Sequence, residues 1–420
     1  MLVSIKVNNC FIYDKEVELS MRADMRCKKF ACNIATIGNA HLLKSAIIMG
    51  PNNSGKTNLI RCLRSVKAVM LNKRAHLASN LFSKNRICEI EISFLHESEE
   101  YIFSFKHDAV SHEYIYERFA KVEYDSHHNK KEVNIIVRDT ENQQYFCEND
   151  DVCTLMKAAA KNNILIYLID TTQFEVLNNA KNIIVDFAEK IEIVDMNNIP
   201  DQKTIDLLKA KDKTKDKIVN FILNADLCLD DFRYVPDEEL VIKANVPDDM
   251  KAQEEVQNLP SMLRERLHLA STYKGITVPS LFFDSTGTKK ITALSSYVVE
   301  ALEKGKILVV DELDNSLHFK LTRGIISLFN NDLNLNAQLI CTVHDITLID
   351  CKKLFRKEQV WFAHKDREDA YLYSLSEFTY DKDKVRADTD NMTEKYKKGL
   401  FGALPEPDLF KSLLEVRNDG

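Results

Sequence analysis

One stretch limits what this chain can fold into more than any other: Ser45–Asn58, SAIIMGPNNSGKTN. Ala46–Met49 is an apolar run of the length of a short buried strand. It leads directly into GPNNSGKT, Gly50–Thr57, which fits G-x-x-x-x-G-K-[ST] at every position. A helical pattern follows at once, with Leu59, Ile60, Leu63 and Val66 on one face. Strand, glycine-bounded loop and helix in that order form a phosphate-binding loop. Gly50 and Gly55 allow backbone conformations and a close approach that a side chain would block. The N–H groups of Asn52, Asn53, Ser54 and their neighbours, with the positive end of the helix that Asn58 enters, point at phosphate oxygens. Lys56 adds a cation for the β- and γ-phosphates, and Thr57 offers a hydroxyl to Mg²⁺.

At 420 residues the chain has room for one large domain or two to three ordinary ones. Its 45% hydrophobic and 29% charged content is that of a globular protein. A net charge of −7 gives no overall basic footprint, so any contact with nucleic acid has to use a local patch or a partner. The ten cysteines are scattered, and none forms a C-x-x-C pair. They read as small buried residues in a reducing compartment, not as a zinc site. The opening MLVSIKVNNCFIYDKEVEL lacks the plan of a signal peptide, and no apolar run is long enough to span a bilayer. The expectation is a cytoplasmic protein with no membrane partner.

Before the phosphate loop, alternation at Leu2–Val7 and Val17–Leu19 predicts a β-hairpin, and residues 21–44 read as a loop with a short element. Between Ile87 and Cys147, five alternating segments separated by polar turns predict an antiparallel β-subdomain. The His127–His128 pair falls in one of those turns and reads as exposed polar surface. From Asp151 to Met262 helical spacing dominates, at Asn178–Lys190 and across Asp201–Leu229. KAKDKTKDK, Lys209–Lys217, alternates lysines with acids and reads as a solvated helix face. Acidic Pro236–Gln257 reads as a mobile loop. The α/β pattern returns near Thr277. Val278–Phe283 reads as a strand and Thr288–Lys304 as a helix closed by Gly305. Strands follow at Ile307–Val310, Gln338–Val343 and Val360–Phe362, with a helix at Leu321–Phe329. Two α/β segments so far apart predict one nucleotide-binding core interrupted by an insertion. The expected divisions are 1–150, a lobe with the phosphate loop and β-subdomain; 151–275, a helical insertion; and 276–420, a second lobe.

The second lobe carries the complement of the phosphate loop. ILVVDE, Ile307–Glu312, is an apolar strand ending in two carboxylates, a Walker B arrangement. Asp311 is placed to hold the Mg²⁺ shell, and Glu312 to orient and deprotonate an attacking water. FFDSTGTKK, Phe282–Lys290, puts Ser285, Thr286 and Gly287 at a helix start, a second phosphate-binding surface. Asp314-Asn315-Ser316 follows the Walker B strand. ICTVHD puts His344 at the end of the next strand, where a γ-phosphate contact is needed.

The series GPNNSGKT, DSTGTKK, ILVVDELDNSLH and TVHD resembles the ATPase head of the ABC/SMC superfamily. More narrowly it resembles the RloA/AbiL-like (AAA15) ATPases of bacterial defence islands, relatives of the ATPase half of the overcoming-lysogenization-defect nucleases. DSTGTKKITAL and ALEKGKILVVDELDNSLH carry most of that likeness; the opening segment and YKKGLFGALP, Tyr396–Pro405, add to it. The resemblance implies an α/β fold, an ABC-type P-loop ATPase head with an antiparallel β-subdomain and an inserted helical region. It implies that Gly50, Asn52, Gly55, Lys56 and Thr57 bind ATP and Mg²⁺, with Asp311 as Walker B acid and Glu312 as catalytic base. Ser285 and Gly287 match the signature serine and second glycine, which face the γ-phosphate of another subunit; Asp314 belongs to the D-loop and His344 is the switch histidine. A homodimer or higher homo-oligomer with ATP between heads follows from that arrangement. The sequence departs from the pattern in having Thr286 for the first signature glycine, Asn53 where Gly or Ala is common, Phe319 after His318 and Leu400 at an often basic position. No Gln lies between Thr57 and Asn142, so the usual Q-loop glutamine is missing.

Three functions compete. The first is an ATP-driven sensor or scaffold of an anti-phage system that controls a separately encoded effector, a nuclease or toxin. It is motivated by the ATPase site and by the short stretch after Asp345, too short for a TOPRIM nuclease. The alternative is a RecF/SMC-like DNA-repair ATPase with nucleic acid as its direct partner. The third is a degenerate module that holds ATP without turnover, motivated by the missing glutamine.

Overall fold

The computed structural model describes residues 1–124, 130–210, 213–225, 227–236, 261–367, 369–386 and 390–404. Its centre is a six-stranded sheet of order β11-β15-β16-β5-β17-β18, built from β5 (Ser45–Met49), β11 (Ile191–Asp195), β15 (Ile307–Asp311), β16 (Gln338–Thr342), β17 (Val360–Lys365) and β18 (Ala370–Ser374). All pairings are parallel except β17–β18. The first four-fifths of β5 and all of β15 and β16 are apolar or small and fully buried, as strands covered on both faces require. The alternation of β5 is read out directly. Ala46 and Ile48 face one apolar core with the helix Lys56–Met70, while Ile47 and Met49 face a second core with Ile291, Leu294 and Val298.

On the first face stands a seven-stranded antiparallel sheet of order β10-β9-β8-β7-β6-β1-β2. It is formed by β1 (Leu2–Asn8), β2 (Val17–Ser20), β6 (Ile87–His96), β7 (Glu99–Asp108), β8 (Glu113–Tyr124), β9 (Lys130–Asp139) and β10 (Gln144–Cys147). The expected hairpin and five-strand meander are thus parts of one sheet, joined where β1 pairs with β6. A buried ion pair, Arg138 with Glu117 at 3.0 Å, pins residues 160–165 to it: Arg138 also donates to the carbonyls of Ala160 and Asn163, and Glu117 accepts the Leu165 N–H.

Several elements differ from the expectation. Residues 21–44 contain a real hairpin, β3 (Ile34–Ile37) with β4 (Ala40–Leu43). The stretch 151–275 is not a single helical insertion. The helix Glu175–Glu189 packs on the helix Lys56–Met70, and β11 enters the core sheet beside β15. The inserted unit therefore starts after Asp195, and it carries a small antiparallel sheet, β12 (Asp231–Tyr234), β13 (Leu269–Tyr273) and β14 (Ile276–Pro279). Asp201–Leu229 holds two helices, Gln202–Lys209 and Lys213–Leu223. Val278–Phe283 is only half strand: Pro279 has no N–H to continue a ladder, and a short helix, Ser280–Phe283, begins after it. Gly305 closes the helix Thr286–Lys304 in left-handed geometry at φ 62°. The His127–His128 turn and Pro236–Gln257, apart from Pro236, lie outside the described residues, as do Lys211 and Asp212 of the lysine-rich segment.

Candidate nucleotide site

The phosphate loop leaves the buried end of β5 at Met49. Gly50 follows with φ 150°, and a Cβ there would lie 2.1 Å from the Ala363 carbonyl oxygen of neighbouring β17. No other residue fits so close to the adjacent strand. Gly55 has φ 108° and rests on Tyr13 and Ile12, where a Cβ would come within 2.9 Å of the tyrosine oxygen. The Tyr13 hydroxyl donates to the Gly55 carbonyl at 3.0 Å. Asn53 takes the left-handed region at φ 63°, which asparagine tolerates. Ser54, Gly55 and Lys56 are buried, while Asn52, Asn53 and Thr57 are exposed and Asn58 is half-buried at the first turn of the helix.

Lys56 sits at the mouth of the loop, its Nζ donating to the carbonyls of Gly50 (2.7 Å) and Pro51 (2.9 Å). Burial holds its pKa below the ordinary lysine value, opposed by the charges of Asp311, Glu312 and Asp314, which face it from the end of β15. Parallel pairing explains how they arrive there. β16 lies between β5 and β15, so the carboxyl ends of all three strands open on one edge, the place where open parallel sheets bind ligands.

Three ties fix the acidic turn. Thr342, at the end of β16, donates its hydroxyl to Asp311 Oδ1 at 2.5 Å and accepts the Glu312 N–H at 2.7 Å. Asp314 Oδ2 accepts the N–H groups of His344 (2.7 Å) and Asp345 (2.6 Å). Glu312, at φ 56°, has its Oε2 bonded by Asn197 Nδ2 at 2.8 Å and Asn315 Nδ2 at 3.0 Å. Its other oxygen lies 4.0 Å from His344 Nε2. Burial alone would raise the Glu312 pKa; the bonds from Asn315 and Asn197 and the charges of His344 and Lys56 outweigh it and hold the carboxyl below the ordinary range.

The signature segment is built separately. Ser285 caps the helix Thr286–Lys304, accepting the Thr288 N–H at 3.1 Å. Gly287 packs against the turn after β15, where a Cβ would lie 2.7 Å from the Ser316 carbonyl oxygen. Lys290 donates to Asn315 Oδ1 at 2.9 Å. Buried Asp284 accepts hydroxyls from Ser271 (2.6 Å), Ser280 (2.6 Å) and Tyr273 (2.7 Å), so the inserted sheet holds the segment's base. Phe282 and Phe283 beside it are 69% and 65% exposed. The structure thus gathers Gly50–Asn58, Asp311, Glu312, Asp314 and His344 at one edge. Ser285 and Gly287 are not part of that group: among the described residues they form no hydrogen bond with the phosphate loop.

Sequence reasoning missed Tyr13, Asn197 and Thr342. Tyr13 sits in an unpatterned turn, and Thr342 looks like one more buried strand residue. Asn197 becomes visible only when β11 is known to lie beside β15 with Asp195 level with Asp311.

The fit to a nucleoside triphosphate rests on the cradle itself, two glycines whose Cβ atoms would collide and an ammonium ringed by acids. Thr57, exposed at the helix start, and Asp311 are the oxygen donors that fit a Mg²⁺ ion. The parallel sheet with the loop after β5, the acidic turn after β15 and the antiparallel sheet stacked on one face define the ABC-type P-loop ATPase head fold. A family model described as "AAA domain, putative AbiEii toxin, Type IV TA system" matches residues 160–350, a span that holds Ser285, Asp311, Glu312 and His344 but starts after the phosphate loop. Among solved structures, the SMC head domain from Thermotoga maritima is similar at 11% identity and TM-score 0.43, covering 89% of this chain and 98% of that one. An SMC head bound to the C-winged helix domain of ScpA is similar at 13% identity and TM-score 0.44, covering 89% and 97%. No curated protein matches the chain. Among the described residues, no helix is long and apolar enough to cross a membrane.

Proposed function

We propose that the chain binds ATP with Mg²⁺ and hydrolyses it at a site completed by a second copy of itself. The observation that carries this reading is the convergence of Lys56 with Asp311, Glu312 and Asp314, while the capped helix start at Ser285 lies apart from them. In this reading Gly50, Asn52, Asn53, Ser54 and Gly55 wrap the phosphates with backbone N–H groups, and Asn58 follows in the first helical turn. Lys56 binds the β- and γ-phosphates. Thr57 and Asp311 hold Mg²⁺, which supplies charge neutralisation at the phosphates. Glu312 accepts a proton from the attacking water, its low pKa keeping it ionised near neutrality. His344 contacts the γ-phosphate. Ser285 and Gly287 of one copy close over the nucleotide of the other, and Asp314 ties the acidic turn to the histidine loop between them.

The finer role we propose is that of a sensor or scaffold in a bacterial anti-phage system, controlling a separately encoded nuclease or toxin. The motif series of the RloA/AbiL-like ATPases supports it, as does the toxin–antitoxin description of the matching family model over 160–350. The test is purification with the product of the adjacent gene, and challenge with phage. A stable complex and protection lost with Glu312→Gln are expected. No association and no protection overturn the defence role. Salt-sensitive DNA binding that stimulates ATP turnover, without a protein partner, moves the chain to the DNA-repair class.

A further inference from the structure

The network around Glu312 reaches well beyond the acidic turn. Asn197 lies two residues past β11, in the link between the core sheet and the inserted unit. The Met196 N–H donates to the Asp311 carbonyl, which keeps this link level with the acidic turn. From there Asn197 donates to Glu312 Oε2, and its own Oδ1 accepts Asn315 Nδ2 at 2.5 Å. Asn315 in turn donates to the same glutamate oxygen and accepts from Lys290, in the helix that Ser285 caps. A few residues on, Thr204 of the inserted unit bonds that same helix at the Ala293 carbonyl (3.0 Å) and the Ser296 hydroxyl (2.8 Å).

We infer that Asn197 is a positioning residue: with Asn315 it sets the rotamer of Glu312, and through Lys290 it couples that rotamer to the placement of the inserted unit and the Ser285 helix. Two amide donors on one oxygen leave Oε1 as the free basic atom, on the side of His344. Glu312 itself sits in left-handed backbone geometry at φ 56°, a conformation that persists where the surroundings over-determine it. A shift of the inserted unit pulls on Asn197 and on the Lys290 helix together, so both ends of the chain of bonds move when a second copy engages Ser285. The amide of Asn197 has this effect only as a donor to Glu312, because its side chain is otherwise exposed.

This inference rests on the proposed ATPase reading. The experiment compares steady-state ATP hydrolysis by the full chain with that of Asn197→Ala, Asn197→Asp and Asn315→Ala, alongside ATP affinity and thermal midpoint. Asn197→Asp is isosteric but cannot donate. Both Asn197 variants are expected to lower kcat about tenfold or more, with KM within about twofold and an unchanged thermal midpoint. Asn197→Ala combined with Asn315→Ala is expected to cost less than the product of the two single effects, because the amides act as one unit. A normal kcat in Asn197→Asp, or multiplicative effects in the double variant, overturns the inference while leaving the ATPase reading intact. A wild-type rate no faster than that of Glu312→Gln overturns both.

Discussion

The phosphate-loop edge and the signature segment are built by opposite means. The first sits on the ends of parallel strands buried on both faces, and every functional group in it is tied to a neighbouring strand: Gly50 against Ala363, Asp311 and Glu312 to Thr342, Asp314 to His344. The second rests on a three-stranded sheet outside the core, through the single carboxylate of Asp284, and shows water two phenylalanines. A rigid edge can bind nucleotide in one chain. An exposed, lightly anchored edge with a helix start of its own has a phosphate-binding surface and no phosphate-binding loop beside it. The contrast says that one half is a binding site and the other is the half of a site that another copy completes.

The strongest way to break this contrast is to disable each part of the rigid edge and ask whether binding and turnover separate. Glu312→Gln is expected to keep ATP affinity and lower kcat by about 10²–10⁴-fold, the usual contribution of a positioned general base. Retained turnover, measured by phosphate release, would show that the acidic turn does not perform the chemistry. Lys56→Ala is expected to lower ATP affinity about 10- to 100-fold, the worth of one charge-assisted bond of about 1.5–3 kcal/mol. Calorimetric titration reads that directly. Asp284→Ala addresses the other half. It leaves three hydroxyls without their acceptor, a cost of about 1–3 kcal/mol. The expected result is a lower unfolding midpoint and slower turnover, with ATP affinity of the isolated chain within about twofold. If affinity falls as far as in Lys56→Ala, the two halves are one site within a single chain, and the contrast fails.

The same difference decides what was legible in the sequence. The rigid edge is local in its cues: a glycine-bounded loop after a strand, two acids after another, a histidine after a third. Each motif carries its own geometry, so the residues that meet at this edge could be named before the order of strands was known. Asn53 is an example, since its left-handed geometry follows from residue type alone. What stayed hidden depends on strand order. Ile191–Asp195 reads as a few apolar residues after a helix, and only its pairing with β15 brings Asn197 to Glu312. The antiparallel sheet was legible strand by strand, because alternation is a property of each segment, but its junction at β1 and β6 is a long-range pairing that no local pattern encodes. Around the signature segment, Pro279 was the available signal that the strand beginning at Val278 could not continue, and the apolar run through Phe283 masked it.

The smallest expected effect lies where the two regions are joined. Glu300, near the end of the Ser285 helix, is paired with Lys203 of the inserted unit, Lys304 of its own helix and Lys306 at the start of β15. Lys203 and Lys306 also reach Glu192 of β11, at 3.1 and 3.0 Å. Burial pushes the Glu300 carboxyl up, but the bonds from Lys203 and Lys304 and the charges of Lys203 and Lys306 bring it down to about 2. A depressed carboxyl contributes stability that is complete above its unfolded value, about 4.3, and is lost as pH falls toward the folded value. The window is therefore from about pH 4.5 down to about 2. The half-exposed lysines screen the interaction, so the loss is about 1–2 kcal/mol. Because the cluster fastens the inserted unit to the core, acid should loosen that unit before it opens the phosphate-loop edge. Urea midpoints between pH 5 and 3 are expected to fall faster for the wild type than for Glu300→Gln, and proteolysis at pH 4 to cut residues 196–284 first. Equal slopes would mean that the two regions are held together by the apolar packing of the Ser285 helix alone.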